Sequence, residues 1–305
     1  MTGLQGAQLL QSFSNAVTEL AESVSPSVVS VNAGRRGGTG IVWSSDGLIV
    51  TASHVIGHSA APTVALSDGR ELGAKVVGRD PFTDIALLKV DAEGLAPVKV
   101  GGADGIRVGQ FVLALANATG KRASATSGIV TGNRRSMRGF WGVIIEDAVV
   151  SDAKLNPGYS GGPLVDASGN LLGMNVAYFA GRGVAVSASS LKEAVEKISR
   201  DGRVKKGFLG VVVEPVELPE EIARSAEVGQ DDGLLVRSVE AGSPARAAGV
   251  ALGDIILRLG NTQARDEYEL HKALSGDVVG QTLALRVLRA EQVTDLKVTP
   301  EEAEL

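Results

Sequence analysis

The chain has 305 residues, 39 of them glycine, with no cysteine, 4% aromatic residues and a formal net charge of −5. That length accommodates two domains, each with a core of its own, and the lack of cysteine excludes disulfides, thiol catalysis and thiolate metal sites while leaving the redox compartment open. Charge is uneven: residues 1–206 carry 21 Lys and Arg against 17 Asp and Glu, a net +4, and residues 207–305 carry 9 against 18, a net −9. The step supports a domain boundary near residue 206, and neither part shows a basic stripe with interleaved aromatics, so nucleic-acid binding is not expected.

In chain order, Leu10, Phe13, Val17 and Leu20 recur at helical spacing, which predicts an amphipathic helix that Pro26 ends. Its apolar stripe would pack on its own domain or on another subunit. The N-terminus lacks the basic start and continuous apolar segment of a signal peptide. A cytoplasmic protein and a mature exported form would both look like this, and no stretch is long enough to span a membrane.

Six short strands are expected next, at residues 28–31, 40–43, 48–52, 63–66, 71–77 and 84–90, with turns at 34–38, 44–47, 67–70 and 78–81. Six tightly turned strands make a closed antiparallel barrel plausible. His54 directly follows the third strand and Asp84 opens the sixth, positions where a rigid element hands over to a loop. From about residue 110 the pattern repeats, with strands at 111–115, 122–130, 142–145, 163–166, 171–178 and 183–189 and a crossing through 147–151. Residues 133–139, NRRSMRG, read as a basic, flexible loop.

Near the middle of this second set stands NPGYSGGPL, residues 156–164. Ser160, held between glycines, is the candidate nucleophile. A serine hydroxyl needs an adjacent base, and the base a third group to hold its tautomer. The chain has three histidines, His54, His58 and His271, of which His54 has the strand-end setting.

Residues 189–200 form an amphipathic helix on Leu191, Val195 and Ile198, with Ser189 or Ser190 as N-cap and Glu193 near enough for a capping box. DGRVKK, residues 201–206, ends it. The remainder reads as a small, partly open sheet: strands at 233–239, 254–260, 282–289 and 293–298, a polar helix near 219–225, and a helix over 264–276 that forms a groove with one strand.

The order His54, Asp84, Ser160 in the settings TASHV, DIAL and GYSGGPL, with ATSGIV at 125–130 and LLGMN at 171–175, resembles the HtrA (Deg) group of trypsin-like double β-barrel serine proteases. GFLG, AGSPARAAGV and LGDIILRLG resemble the PDZ domain that this group carries after the protease. The fold implied is mainly β: a helical segment at 1–24 used in oligomerisation, a double β-barrel protease domain at 25–203, a PDZ domain at 204–300 and an acidic tail at 301–305.

The resemblance implies that Ser160 attacks a peptide carbonyl, His54 moves the proton, Asp84 orients His54, and the N–H groups of Gly158 and Ser160 bind the oxyanion. Leu155, Tyr159, Tyr178, Val184, Ala185 and Val186 would shape the substrate pocket, with the edge of 184–186 receiving an extended substrate. No Asp stands where a pocket for basic residues would want one, so a small to medium aliphatic side chain is expected at the cleavage site.

Tyr159 departs from the Asn usual in the group and would place a bulky ring beside the nucleophile, and ALANATGK, residues 114–121, departs from the AIGNPFG-like run. Gly207, Phe208, Leu209 and Gly210, with Leu270 and His271 on the helix, would form a groove for peptide C-termini. The implied protein is a trimeric endopeptidase for unfolded polypeptides that needs no cofactor or metal. A proteolytically silent peptide-binding scaffold is the alternative.

Overall fold

Runs of β-branched and aliphatic residues between residues 28 and 90 are too short for helices and alternate in burial as strands do. They form β1 (Val28–Ala33), β2 (Arg36–Val42), β3 (Leu48–Ala52), β4 (Thr63–Ala65), β5 (Glu71–Asp80) and β6 (Ile85–Val90), which close in the order β1-β2-β3-β6-β5-β4. This computed structural model describes the whole chain except residues 1–2, 35, 82, 102–104, 122, 139–143, 180, 203–205, 226–228, 276–277 and 304–305, with the backbone alone at a few further positions. The chain divides into two compact units, Met1–Arg203 and Val204–Leu305.

The first barrel differs from the sequence reading in several places: β5 runs on to Asp80 through most of the turn expected at 78–81, because Gly78, Arg79 and Asp80 pair with Leu87, Ala86 and Ile85. The turn expected over 34–38 is shorter, because Arg36, Gly37 and Gly38 already pair with Ala33, Asn32 and Val31. A one-turn helix, α2 (Ser53–Ile56), follows β3 and carries His54.

A second closed barrel completes the first unit. Its strands are β8 (Phe111–Ala116), β9 (Ser124–Arg138), β10 (Ile144–Ser151), β11 (Pro163–Asp166), β12 (Asn170–Phe179) and β13 (Arg182–Ser187); β11 pairs with both β8 and β12, and the short β7 (Lys99–Val100) adds to β12 in parallel. The basic segment expected as a loop at 133–139 is strand as far as Arg138, and the crossing at 147–151 is part of β10. Together they make a long hairpin in which Asn133 pairs with Val149 and Arg138 with Ile144. Charge at 134, 135 and 138 hides this strand from a composition-based reading, although one face of a hairpin can stay in water.

Helix α1 (Gly3–Val24) runs into a single 3-10 turn, Ser25–Ser27, at Pro26. Its last turns bury Val24 and lay Val17, Leu20 and Ala21 on Val28, Leu113, Leu115 and Val165. Farther up, Phe13 meets Phe111 edge to face at 5.9 Å, while Leu9 and Leu10 remain exposed. Helix α3 (Ala188–Asp201) closes the unit on Leu191, Ala194, Val195 and Ile198. Its cap is Ser187, whose Oγ accepts from the Ser190 N–H at 3.2 Å, and not Ser189 or Ser190 as the spacing suggested. The helix begins earlier because β13 ends at Ser187 with no intervening turn.

The second unit is a five-stranded antiparallel sheet in the order β15 (Val211–Glu217), β16 (Asp232–Val239), β17 (Ile255–Leu259), β19 (Leu283–Arg289), β20 (Gln292–Val298), with β18 (Thr262–Gln263) hairpinned onto β17. Helices α4 (Glu220–Ser225), α5 (Pro244–Ala247) and α6 (Glu267–Ala273) flank it. A separate pair joins β14 (Gly207–Phe208) to β21 (Glu301–Glu302), so the start of the expected acidic tail is part of a sheet. Leu234, Val236, Ile256, Leu285 and Val287 form the core under α6.

Candidate active site

His54 sits on α2 because the chain turns sharply as β3 ends, and Asp84 reaches it from the turn before β6, the strand hydrogen-bonded to β3. Asp84 itself lies outside β6, with φ +59°. That left-handed conformation is one Asp tolerates better than most residues, and just before it Thr83 Oγ1 donates to Asp80 Oδ2 at 2.6 Å, bracing the turn. From there the Asp84 carboxylate accepts His54 Nδ1–H at 2.6 Å through Oδ2 and the His54 backbone N–H at 2.9 Å through Oδ1. The carboxylate is buried and the imidazole is 44% exposed. With Nδ1 committed as donor, Nε2 of the neutral ring is left as an acceptor. Arg36 donates to the His54 carbonyl at 3.2 Å, and Arg79 donates to the Gly57 carbonyl, so two guanidiniums brace the helix that carries the base.

Ser160 is presented by the turn between Ser151 and β11. Gly158 has φ +95°, and a Cβ there would lie 2.3 Å from Ala118 Cβ, so no other residue fits. Of the N–H groups from 158 to 162, that of Tyr159 bonds Asn156 O, that of Gly161 bonds Asn175 O and that of Gly162 bonds Tyr159 O. Those of Gly158 and Ser160 make no hydrogen bond among the described residues. Two unpartnered donors one residue apart beside a serine hydroxyl are what an oxyanion needs. The Ser160 hydroxyl does not bond His54; it donates to the Val176 carbonyl at 3.4 Å, a long and weak bond.

Several expected pocket residues lie elsewhere. Tyr159 does not stand beside the nucleophile: its side chain is 5% exposed and buried in the second barrel among Val112, Ala114, Leu164 and Leu172. Val184, Ala185 and Val186 are buried, and their strand is paired on both sides, with β10 and with β12, so it has no edge to offer. The open edge belongs to β12. Beyond Met174 that strand has no β11 partner, and a bulge between Asn175 and Ala177 leaves Val176 unpaired next to Ser160. Leu155 lies against the wall of this barrel, next to Gly183. Tyr178 is on β12 in register with Gly183, and its side chain lies outside the described residues.

Sequence reasoning also missed Thr39. This buried β2 residue donates its N–H to Ser160 O at 2.9 Å and its hydroxyl to Gly158 O at 2.7 Å. No local signal marks a threonine whose partners lie about 120 positions away.

In the second unit the edge strand β15 runs beside α6, with Val212 60% exposed. The loop before it presents Leu209 and Gly210, whose carbonyls are taken by the N–H groups of Ala245 and Glu240. Gly210 has φ +75° and lies against Ser243. Leu209 and Leu270 are buried in the core and form the floor of this region, not the lining expected of Leu270. Gly207 and Phe208 are in β14, and His271 is half-buried on α6. Among the described residues no group of three His, Asp or Glu stands together as a metal site, and no helix is long and apolar enough to cross a membrane.

Two barrels with a His–Asp pair and a glycine-held serine, followed by a small sheet with an open edge beside a helix, define the trypsin-like peptidase class with an appended PDZ domain. Family models agree: residues 38–174 match the trypsin-like peptidase domain and residues 207–299 the PDZ domain. A probable periplasmic serine endoprotease, DegP-like, of Chlamydia trachomatis serovar D is 33% identical over 268 residues, 86% of this chain and 53% of that protein. The chain thus spans about half the length of the curated relatives it matches. Among solved structures, the HtrA-type protease AlgW with a tripeptide is 33% identical with a TM-score of 0.82, covering 94% of this chain and 97% of that one. The serine endoprotease from Yersinia pestis is 30% identical with a TM-score of 0.78, covering 94% and 98%. The chain belongs to the HtrA family of trypsin-like serine proteases with a C-terminal PDZ domain.

Proposed function

We propose that the protein is a serine endopeptidase acting on unfolded polypeptides, with its PDZ domain binding peptide C-termini. The observation that carries the reading is the His54–Asp84 pair at 2.6 Å together with a serine whose own N–H and that of Gly158 are unpartnered among the described residues. Asp84 holds the neutral tautomer with Nε2 free and stabilises the imidazolium that forms when Nε2 takes the Ser160 proton. Ser160 Oγ then attacks the carbonyl carbon, and the N–H groups of Gly158 and Ser160 receive the oxygen as it becomes negative. His54 returns the proton to the leaving amine; water enters by the same base to release the acyl group. The Ser160 bond to Val176 O is long and weak at 3.4 Å, so the resting arrangement costs little to leave.

An extended substrate fits best against the open stretch of β12 at 176–179, with Leu155 near the cleavage-site side chain, which favours a small to medium aliphatic residue there. In the PDZ domain a peptide adding to the free edge of β15 would end at the loop of Leu209 and Gly210. The AlgW structure is one with a tripeptide, which supports peptide binding by this chain. The exposed Leu9, Leu10 and Phe13 support a role for α1 in assembly, which we take to be a trimer.

The test is digestion of a casein-type unfolded substrate by the parent and by Ser160→Ala, each with and without a peptide ending in a hydrophobic residue. Cleavage by the parent that Ser160→Ala abolishes is expected. Equal behaviour of the two proteins in both conditions overturns the reading in favour of a silent scaffold, which the Ser160–Val176 bond would then describe.

A further inference from the structure

Thr39 is fully buried, and every polar group it owns is spent around the turn that carries Ser160. Its N–H donates to Ser160 O at 2.9 Å, its hydroxyl to Gly158 O at 2.7 Å, and its own carbonyl accepts Thr51 Oγ1–H at 2.7 Å. The direction of the hydroxyl bond is settled by a third group. The Asn117 N–H points to Thr39 Oγ1 at 2.9 Å and can only donate, so it occupies an oxygen lone pair and the single hydroxyl proton is left for Gly158 O.

Thr39 therefore grips the nucleophile turn at both ends. Between the two pinned carbonyls lie Tyr159 and the peptide whose N–H is that of Ser160; on the near side, the pinned Gly158 carbonyl fixes the residue whose own N–H is the other free donor. The approach is too close for side chains. A Cβ at Gly161 would lie 2.0 Å from Thr39 O, and one at Gly38 would lie 2.9 Å from Ser160 O. The first barrel thus sets the shape of a loop that belongs to the second.

We propose that Thr39 is a positioning residue for the oxyanion site: its hydroxyl, aligned by the Asn117 N–H, holds the Gly158 carbonyl so that the N–H groups of Gly158 and Ser160 stay free for the substrate oxygen. Thr39 touches no reacting atom and acts through the loop. The inference rests on Ser160 being the nucleophile, and its test includes a measurement that does not.

Thr39→Val keeps the shape and removes the hydroxyl; Thr39→Ser keeps the hydroxyl and removes the methyl. Hydrogen–deuterium exchange of the segment 156–164 is expected to quicken roughly tenfold in Thr39→Val, the effect of losing about one buried hydrogen bond, and to stay within about twofold of the parent in Thr39→Ser. On a peptide substrate Thr39→Val is expected to lower kcat about 10- to 100-fold, less than or near the loss of a whole oxyanion donor. KM should stay within about threefold and the pH profile unmoved, since the His54–Asp84 pair is untouched. Thr39→Ser should recover most of kcat. Parent-like kcat in Thr39→Val, equal damage in the two variants, or unchanged exchange in Thr39→Val each overturn the proposal. If the parent itself cleaves nothing, exchange decides: acceleration in Thr39→Val alone upholds the clamp while the protease reading fails. Should Thr39→Val not fold, Thr39→Ala takes its place in both measurements.

Discussion

Tyr159 shows how one residue can read one way in sequence and another in the fold. Adjacent to Ser160, it looks like a ring thrust into the catalytic space, but Gly158 at φ +95° and the bond from Gly162 N–H to Tyr159 O turn it inward. The ring becomes part of the second core, and its hydroxyl makes no hydrogen bond among the described residues. Tyr159→Phe is accordingly expected to change stability by less than about 1 kcal/mol and leave cleavage near the parent's. Tyr159→Ala, which opens a cavity under the nucleophile turn, should cost about 3–5 kcal/mol. Chemical denaturation of the two variants checks this, and a Phe variant as damaged as the Ala variant would show that the hydroxyl matters. His54 and Asp84 are the opposite case: neighbouring strands β3 and β6 bring their ends together, and the strand-end placement was visible in the chain itself.

Among elements, the start of β17 and the end of β19 are tied by a bidentate ion pair with a buried carboxylate. Arg289 grips the buried Asp254 with Nε and Nη2, each at 2.7 Å, and Ala251 N–H adds a third bond at 2.8 Å. Burial is the largest single influence on the Asp254 carboxyl and pushes its pKa up, but the Arg289 hydrogen bonds and the Ala251 N–H together outweigh it, leaving the value below the usual 3.8. A folded-state pKa lower than the unfolded one means that the stabilisation is fully present above the unfolded value and is lost as pH falls through the folded one. The second unit should therefore lose stability on acidification below about pH 4, and Asp254→Asn should flatten that dependence. At neutral pH the same substitution should cost about 2 kcal/mol, the scale of a charge-assisted hydrogen bond. Denaturation of parent and variant between pH 3 and 7 measures both, and parallel pH curves would contradict the assignment. The hairpin of β9 and β10 carries a different lesson: strand pairing extends through the basic run 133–138 because the partner strand supplies hydrogen bonds that no local pattern announces.

For the whole molecule, α1 differs along its length in what it packs against. Its last turns cover the second barrel with Val17, Leu20, Ala21 and Val24, and its earlier turns leave Leu9, Leu10 and Phe13 in water. Removing residues 1–24 should strip several apolar contacts, each burial being worth about 1.5–3 kcal/mol when complete, and lower the thermal midpoint of the protease unit. Substituting Leu9 and Leu10 together by polar residues, and sparing Phe13 for its contact with Phe111, should leave that midpoint nearly unchanged and reduce the mass in solution to that of one chain. Light scattering with thermal melts separates the two effects; an unchanged mass in the polar variant removes α1 as the assembly contact.

The sequence by itself indicated the two-unit organisation, most of the barrel strands and the candidates His54, Asp84 and Ser160: short apolar runs between glycine turns are local patterns, and the three residues stand in motifs that resemble those of the HtrA group. Only the tertiary structure decided what surrounds them. Burial of Tyr159 among Val112 and Ala114, the pairing of β13 with β10 as well as β12, and the grip of Thr39 on the nucleophile turn all depend on partners tens of positions or more away in the chain, and the open edge of β12 on where β11 stops. Those contacts come from closing two barrels and packing them together, and closure leaves no trace in the spacing of neighbouring residues.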